Sequence, residues 1–131
     1  MLEFINININ PKNRKTTDCS TRAIANVLNI SYEQALKEQY EMAVKHSYGL
    51  CDDKTTEFIM KKYGFEKQKQ PRKYNNKKYL VRELDEVLTD KEMKEGVLVR
   101  VAHHLTVIRN NAIEDIWNCG RKSAGVYYTK K

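Results

Sequence analysis

The chain has 131 residues, 40% of them hydrophobic and 31% charged, with a formal net charge of +7. This suits one domain spanning 1–131 with a modest core, and no apolar run approaches the ~20 residues that cross a bilayer. The three cysteines, Cys19, Cys51 and Cys119, are odd in number and follow no secretory leader; they point to a reducing cytoplasm and no disulfide framework.

The first element is a strand at 4–9, where Ile5, Ile7 and Ile9 alternate with Asn6 and Asn8 until Pro11 ends it. A polar loop follows. The next element is a helix from 18 or 19 to 28, with Cys19, Ala23, Ile24, Val27 and Leu28 on a wide apolar face and Thr17 or Asp18 as its cap. Ser31 caps a second helix with Gln34 as a capping-box partner, and Ala35, Leu36, Tyr40 and Ala43 follow before Gly49 breaks it. A third helix is expected over 54–63, closed by Gly64.

After a short strand comes a basic loop, "KQKQPRKYNNKK", and then "VRELDEVL", a short amphipathic helix with Leu84, Val87 and Leu88 inward. The remainder reads as strands: "GVLVRVA", "HLTVIR", "AIEDIW" and "GVYYTK". Helices first and an antiparallel sheet afterwards make an α+β domain.

Two segments carry chemistry. In the first, "NPKNRKTTDCSTRAIANVL", a thiol stands at the opening turn of a helix, where the helix dipole favours thiolate. In the second, "HHLTVIRNNAIEDIWN", Asn110 and Asn111 form a two-residue hairpin turn. Arg109 then faces Ala112, Ile108 faces Ile113, Thr106 faces Asp115 and His104 faces Trp117. Asp115 is thereby diagonal to His104, within reach of its ring. A nucleophilic thiol, an imidazole base and an orienting carboxylate are the parts of an acyl-transfer site. His103 competes with His104 if the register slips by one, and Asn118 competes with Asp115.

These segments, with "NCGRKSAGVYY", cover about half of the chain. They resemble the papain-like cysteine peptidase superfamily in its compact form, as in the bacteriocin-processing domains of peptide exporters and small phage and bacterial proteins of this layout. The resemblance implies a papain-like fold, with the central helix starting at Cys19 and N-terminal helices packed on a C-terminal antiparallel sheet. It implies a Cys19, His104, Asp115 triad, with Asn13, six positions before the Cys, as the oxyanion amide where the family usually has Gln. The implied activity is hydrolysis of a peptide, isopeptide or related amide in a peptide or protein substrate, in the host cytoplasm if the chain is phage-encoded. The segment 51–94 matches nothing in the family.

The alternative is a non-catalytic phage or bacterial binding protein on the same fold, using its cleft or basic loop to hold a host protein or nucleic acid; the loop at 67–78 would suit an acidic partner or nucleic acid. Tyr74 and Tyr79 are the only aromatics interleaved there. No cofactor, metal or membrane is expected. A zinc site from His103, His104, Cys51 and Cys119 lacks paired-ligand spacing. Cys51 and Cys119 read as free thiols, with a Cys19–Cys119 redox disulfide as the one other idea. Trp117 reads as a core or cleft-wall aromatic.

Overall fold

The computed structural model describes residues 1–13 and 18–131, so Thr17, one of the two expected caps, lies outside the described residues. In chain order the elements are β1 (Glu3–Asn6), α1 (Cys19–Leu28), α2 (Tyr32–His46), α3 (Asp53–Lys62) and β2 (Phe65–Gln68). A 3₁₀ turn (Val81–Glu86), α4 (Asp90–Glu95), β3 (Val97–Val101), β4 (His104–Arg109), β5 (Ala112–Asp115) and β6 (Tyr127–Lys130) follow.

The fold is α+β, with helices packed against a six-stranded sheet ordered β1-β5-β4-β3-β6-β2. The sheet is mixed, which corrects the expectation of an antiparallel one. β1 runs parallel to β5, with Phe4 opposite Ile113, while the other pairs are antiparallel. Nor is the sheet confined to the C-terminal half, since β1 and β2 form its two edges. A parallel pair needs a long crossover, and here the whole helical half of the chain supplies it.

β1 is shorter than the expected strand because its partner runs out. The Ile7 N–H donates to the Asp115 carbonyl at 2.9 Å, where β5 ends. Beyond it the chain turns on Asn side chains instead: Asn8 accepts from the Asn10 N–H at 3.0 Å and Asn10 from the Lys12 N–H at 2.8 Å.

α1 keeps its expected bounds. It ends on Asn29 in the left-handed conformation (φ 55°), whose N–H caps the carbonyls of Ala25 and Asn26. Ser31 caps α2 by accepting from the Gln34 N–H at 3.0 Å, one half of the expected capping box. α2 stops at His46, before Gly49, and Tyr40 is exposed. Its buried face is partly polar: Ala35, Glu38 and Gln39. Gln39 bridges α2 to α1, accepting from Thr21 Oγ1 at 2.6 Å and donating to Ser20 Oγ at 3.1 Å. Lys62 of α3 reaches Glu38 at 2.8 Å. The Gln39 amide and one Glu38 oxygen are satisfied in this way, which offsets part of the cost of burying them; Glu38 Oε2 has no hydrogen-bond partner among the described residues.

β3 is apolar on both faces because both are covered. Val97, Val99 and Val101 pack with Ile108, Ile113, Val81 and Leu84. Leu98 packs the other way with Leu105, Val107, Tyr128, Ala23 of α1 and Met60 of α3. α4 had no sequence expectation: among "DKEMKE" only Met93 is apolar, and a single apolar residue has no period. Thr89 and Glu92 close it with a reciprocal capping box. No helix among the described residues is long and apolar enough to cross a membrane.

Candidate active site

The thiol of Cys19 is placed by α1, of which it is the first residue. The helix is anchored behind it by buried Ile24 and Ala25 and by the Gln39 bridge. Asp18, next to the thiol, has an N-cap position but makes no side-chain cap bond. Its carboxylate instead pairs with buried Arg22 one turn on and accepts from Asn10 Nδ2 at 2.6 Å and Tyr32 Oη at 3.1 Å. That engagement blunts the repulsion an adjacent carboxylate would exert on a thiolate.

His104 and Asp115 are placed by two tight hairpins. Asn110 (φ 51°) and Asn111 (φ 62°) make the β4–β5 turn, and the register is the expected one: Arg109 opposite Ala112, Ile108 opposite Ile113. The β3–β4 turn sets His103 at φ 56°, exposed, and starts β4 at His104, opposite Val101. His104 Nε2 and Asp115 Oδ2 then lie 2.6 Å apart, both side chains almost fully buried. Nε2 is thus committed to the carboxylate, and Nδ1 is the nitrogen left for Cys19.

The charges reinforce one another. The Cys19 thiol is held below its ordinary pKa, chiefly by its hydrogen bond with His104. Burial opposes this, while the N–H groups of Leu105 and Ser20 and the imidazole charge favour thiolate. Burial alone would lower the imidazole pKa, but hydrogen bonds with Asp115, Cys119 and Cys19 outweigh it and push His104 up to about 11. Burial likewise raises Asp115, and His104, the Thr106 hydroxyl and the Ile116 N–H together bring it below the usual carboxylate value. Ile116 donates to Asp115 Oδ1 at 2.7 Å, fixing the carboxylate from the far side. A thiolate beside an imidazolium, backed by a carboxylate, is the consistent protonation state.

The other candidates fall as follows. Trp117 is half exposed and meets the His104 ring edge-on, with centroids 5.0 Å apart, as a cleft-wall residue would. Asn118 is exposed and accepts from the Gly120 N–H at 3.0 Å; it stabilises a turn and makes no bond to His104. Asn13 is exposed, at φ 52°, and accepts from Asn8 Nδ2 at 3.2 Å. It is not among the residues lining the small crevice at Cys19, which Ile7, Arg22, Asn26 and Thr106 help enclose. In the basic loop Lys67 pairs with Glu57 at 2.8 Å and Lys73 with Glu83 at 3.0 Å, while Tyr74 is fully exposed.

Two more residues stand beside the site: Arg22, which had no sequence expectation, and Cys119, read from the sequence as a free thiol with a redox disulfide to Cys19 as the one other idea. Buried Arg22 lines the crevice and feels the charge of Asp115; the spacing of Asp18 and Arg22, i to i+4, was the available signal. Cys119 is buried and its sulfur lies with His104 and Asp115, their donor atoms all within 4.8 Å of one another. Nothing in the spacing of Cys119 announces this.

His, Asp and Cys donors would suit zinc. However, two ligands at about 2.0–2.1 Å from one tetrahedral ion stand about 3.3 Å apart, and the 2.6 Å between His104 and Asp115 is that of a hydrogen bond. His104 and Asp115 are spaced to share a proton. No family model matches the chain, and no curated protein and no solved structure is significantly similar to it.

Proposed function

We propose that the protein is a thiol hydrolase of papain-like arrangement that cleaves a peptide, isopeptide or related amide bond. The observation that carries this reading is the chain of contacts from the Cys19 thiol, at the start of α1, through His104 to Asp115. The Cys19 thiolate attacks the carbonyl carbon, and the His104 imidazolium gives its proton to the leaving amine. Water then attacks the thioester, with His104 taking the proton, and the acid product leaves with the thiol restored. Asp115 holds the ring and stabilises its charge. The developing oxyanion is met by the backbone N–H of Cys19 at the helix N-terminus. Asn13, which the resemblance implies as the second donor, is engaged with Asn8 at 3.2 Å and lies outside the crevice lining, so it serves only if its side chain swings toward the thiol on substrate binding.

The test is the pH dependence of Cys19 alkylation, located by mass spectrometry, in wild type and His104→Ala. Rapid labelling well below the ordinary thiol pKa of ~8.5, lost in the variant, is the expected result. Slow labelling with an ordinary pKa in both proteins overturns the mechanism and leaves a binding protein on this fold.

A further inference from the structure

Beyond Trp117 the surface opens into a groove of about 710 Å³, lined by Arg82, Trp117, Asn118, Gly120, Arg121 and Lys122 together with the N-terminal Met1 and Leu2. Its volume is that of pockets that enclose ligands of several hundred daltons. Three cationic side chains line it, Arg82, Arg121 and Lys122, beside the Met1 ammonium, which is paired with Asp85 at 3.2 Å. None of the three makes an ion pair with a described residue, whereas Lys62, Lys67 and Lys73 do. The Arg82 Nε is buried and donates to no described residue. A buried donor without an acceptor is uncommon in a folded chain.

The groove is built rather than incidental. The Val81 N–H donates to the Lys122 carbonyl at 2.9 Å and the Arg82 N–H to the Gly120 carbonyl at 3.0 Å, tying the 3₁₀ turn to the loop after β5. The Leu2 N–H donates to the Arg82 carbonyl at 2.8 Å. Gly120 lets these walls meet: a Cβ there would stand 3.0 Å from Asn118 Oδ1 and 3.2 Å from Arg82 Cβ. A wall held by backbone bonds presents its cations preorganised, which lowers the ordering cost of binding.

We propose that this groove binds an acidic segment of the peptide substrate and carries it past Trp117 to the thiol. The assignment of a substrate class rests on the hydrolase reading; the anion-binding groove itself does not. An acidic peptide is favoured over nucleic acid because the groove offers one aromatic and three clustered cations. Single-stranded nucleic acid is held by successive stacking platforms along a basic track.

Trp117 is the one tryptophan of the chain, so its emission reports the groove directly. The Cys19→Ser protein, which cannot turn substrate over, is titrated with three probes. These are a short capped peptide of alternating Glu and Ala, its Lys and Ala counterpart, and oligothymidylate. The expected result is a saturable change with the acidic peptide alone, weakened by salt and by about tenfold in Arg121→Glu/Lys122→Glu. Arg121 and Lys122 are exposed, so their reversal leaves the fold intact, and Arg82→Gln gives a second, independent loss. Equal responses to both peptides, or an unchanged affinity in both variants, overturns the proposal. A response to oligothymidylate without one to the acidic peptide also overturns it. Binding of the acidic peptide alongside an ordinary Cys19 thiol would remove the hydrolase reading and keep the groove; an activated thiol with no acidic binding would do the reverse.

Discussion

Asp115→Asn is the sharpest perturbation of the site, because it keeps the shape and removes only the charge. The bond between His104 Nε2 and Asp115 Oδ2 is 2.6 Å long, and the two side chains are only 10% and 6% exposed, so solvent screening does little to weaken it. A charge-assisted hydrogen bond contributes about 1.5–3 kcal/mol and a neutral one about 0.5–1.5 kcal/mol. The substitution therefore costs the imidazolium about 1.5 kcal/mol, which is about one pKa unit. The His104 step falls from about 11 to about 10. The thiol step, set by the attraction of the imidazolium for the thiolate, stays in place or falls slightly. The assay is NMR titration of the imidazole carbons of His46, His103 and His104, assigned by single substitutions, with Cys19 alkylation reporting the thiol. An unmoved His104 step in a folded Asp115→Asn protein would refute the role given to the carboxylate.

Proton linkage supplies a second prediction. Between the unfolded pKa values of imidazole, about 6.5, and thiol, about 8.5, the unfolded chain keeps one proton on Cys19, while the folded pair, once its lowered thiol has ionised, keeps one on His104. Wild-type stability in urea is therefore flat with pH in the part of that window where the folded thiol is ionised. In Cys19→Ser only the raised imidazole remains. Its contribution is complete below about 6.5 and is lost as pH rises toward the folded value, by up to about 1.4 kcal/mol per pH unit; equal slopes in both proteins contradict the ion pair. Leu98→Ala removes a fully buried side chain from central strand β3 and lowers unfolding free energy by about 2–5 kcal/mol, read from the urea midpoint. Asn111→Val forces a β-branched residue to φ 62° and costs about 1–2 kcal/mol. Because that turn sets the register of Asp115 against His104, it also lowers the His104 step, read by the same imidazole titration.

What the sequence revealed and what it hid follow from the range of the interactions involved. The Asn110–Asn111 turn is local chemistry, and one turn type determines the whole β4–β5 register, so the approach of His104 to Asp115 was legible eleven residues apart. The bounds of α1 were legible for the same reason: its apolar period ends where Asn29 takes the left-handed conformation. The parallel pairing of β1 was not, since no local pattern in "EFIN" states which strand it joins or in what direction. α2 misled because its buried positions include Glu38 and Gln39, and hydropathy cannot foresee partners such as Ser20 and Lys62 supplied by other helices. Cys119 was read as a free thiol, with a disulfide to Cys19 as the one other idea; its place beside His104 and Asp115 was not legible because it lies on a loop, where no periodicity assigns a side chain to a site.

The strand order has a consequence for synthesis. Cys19 is made early, and its helix partners α2 and α3 soon after, yet the strands that α1 rests on, β3 and β4, follow only after the segment containing the 3₁₀ turn and α4. At about 5–20 residues per second on the ribosome, the apolar faces of the first three helices wait for several seconds without a sheet. β2 pairs last, because its strand partner among the described residues is β6, at the end of the chain. Throughout that interval the thiol has no imidazole beside it and keeps the sluggish chemistry of an ordinary cysteine. On the proposed reading, an activated thiol is therefore a property of the completed fold, and a truncated chain that lacks β4 and β5 carries a Cys19 without its imidazole and carboxylate.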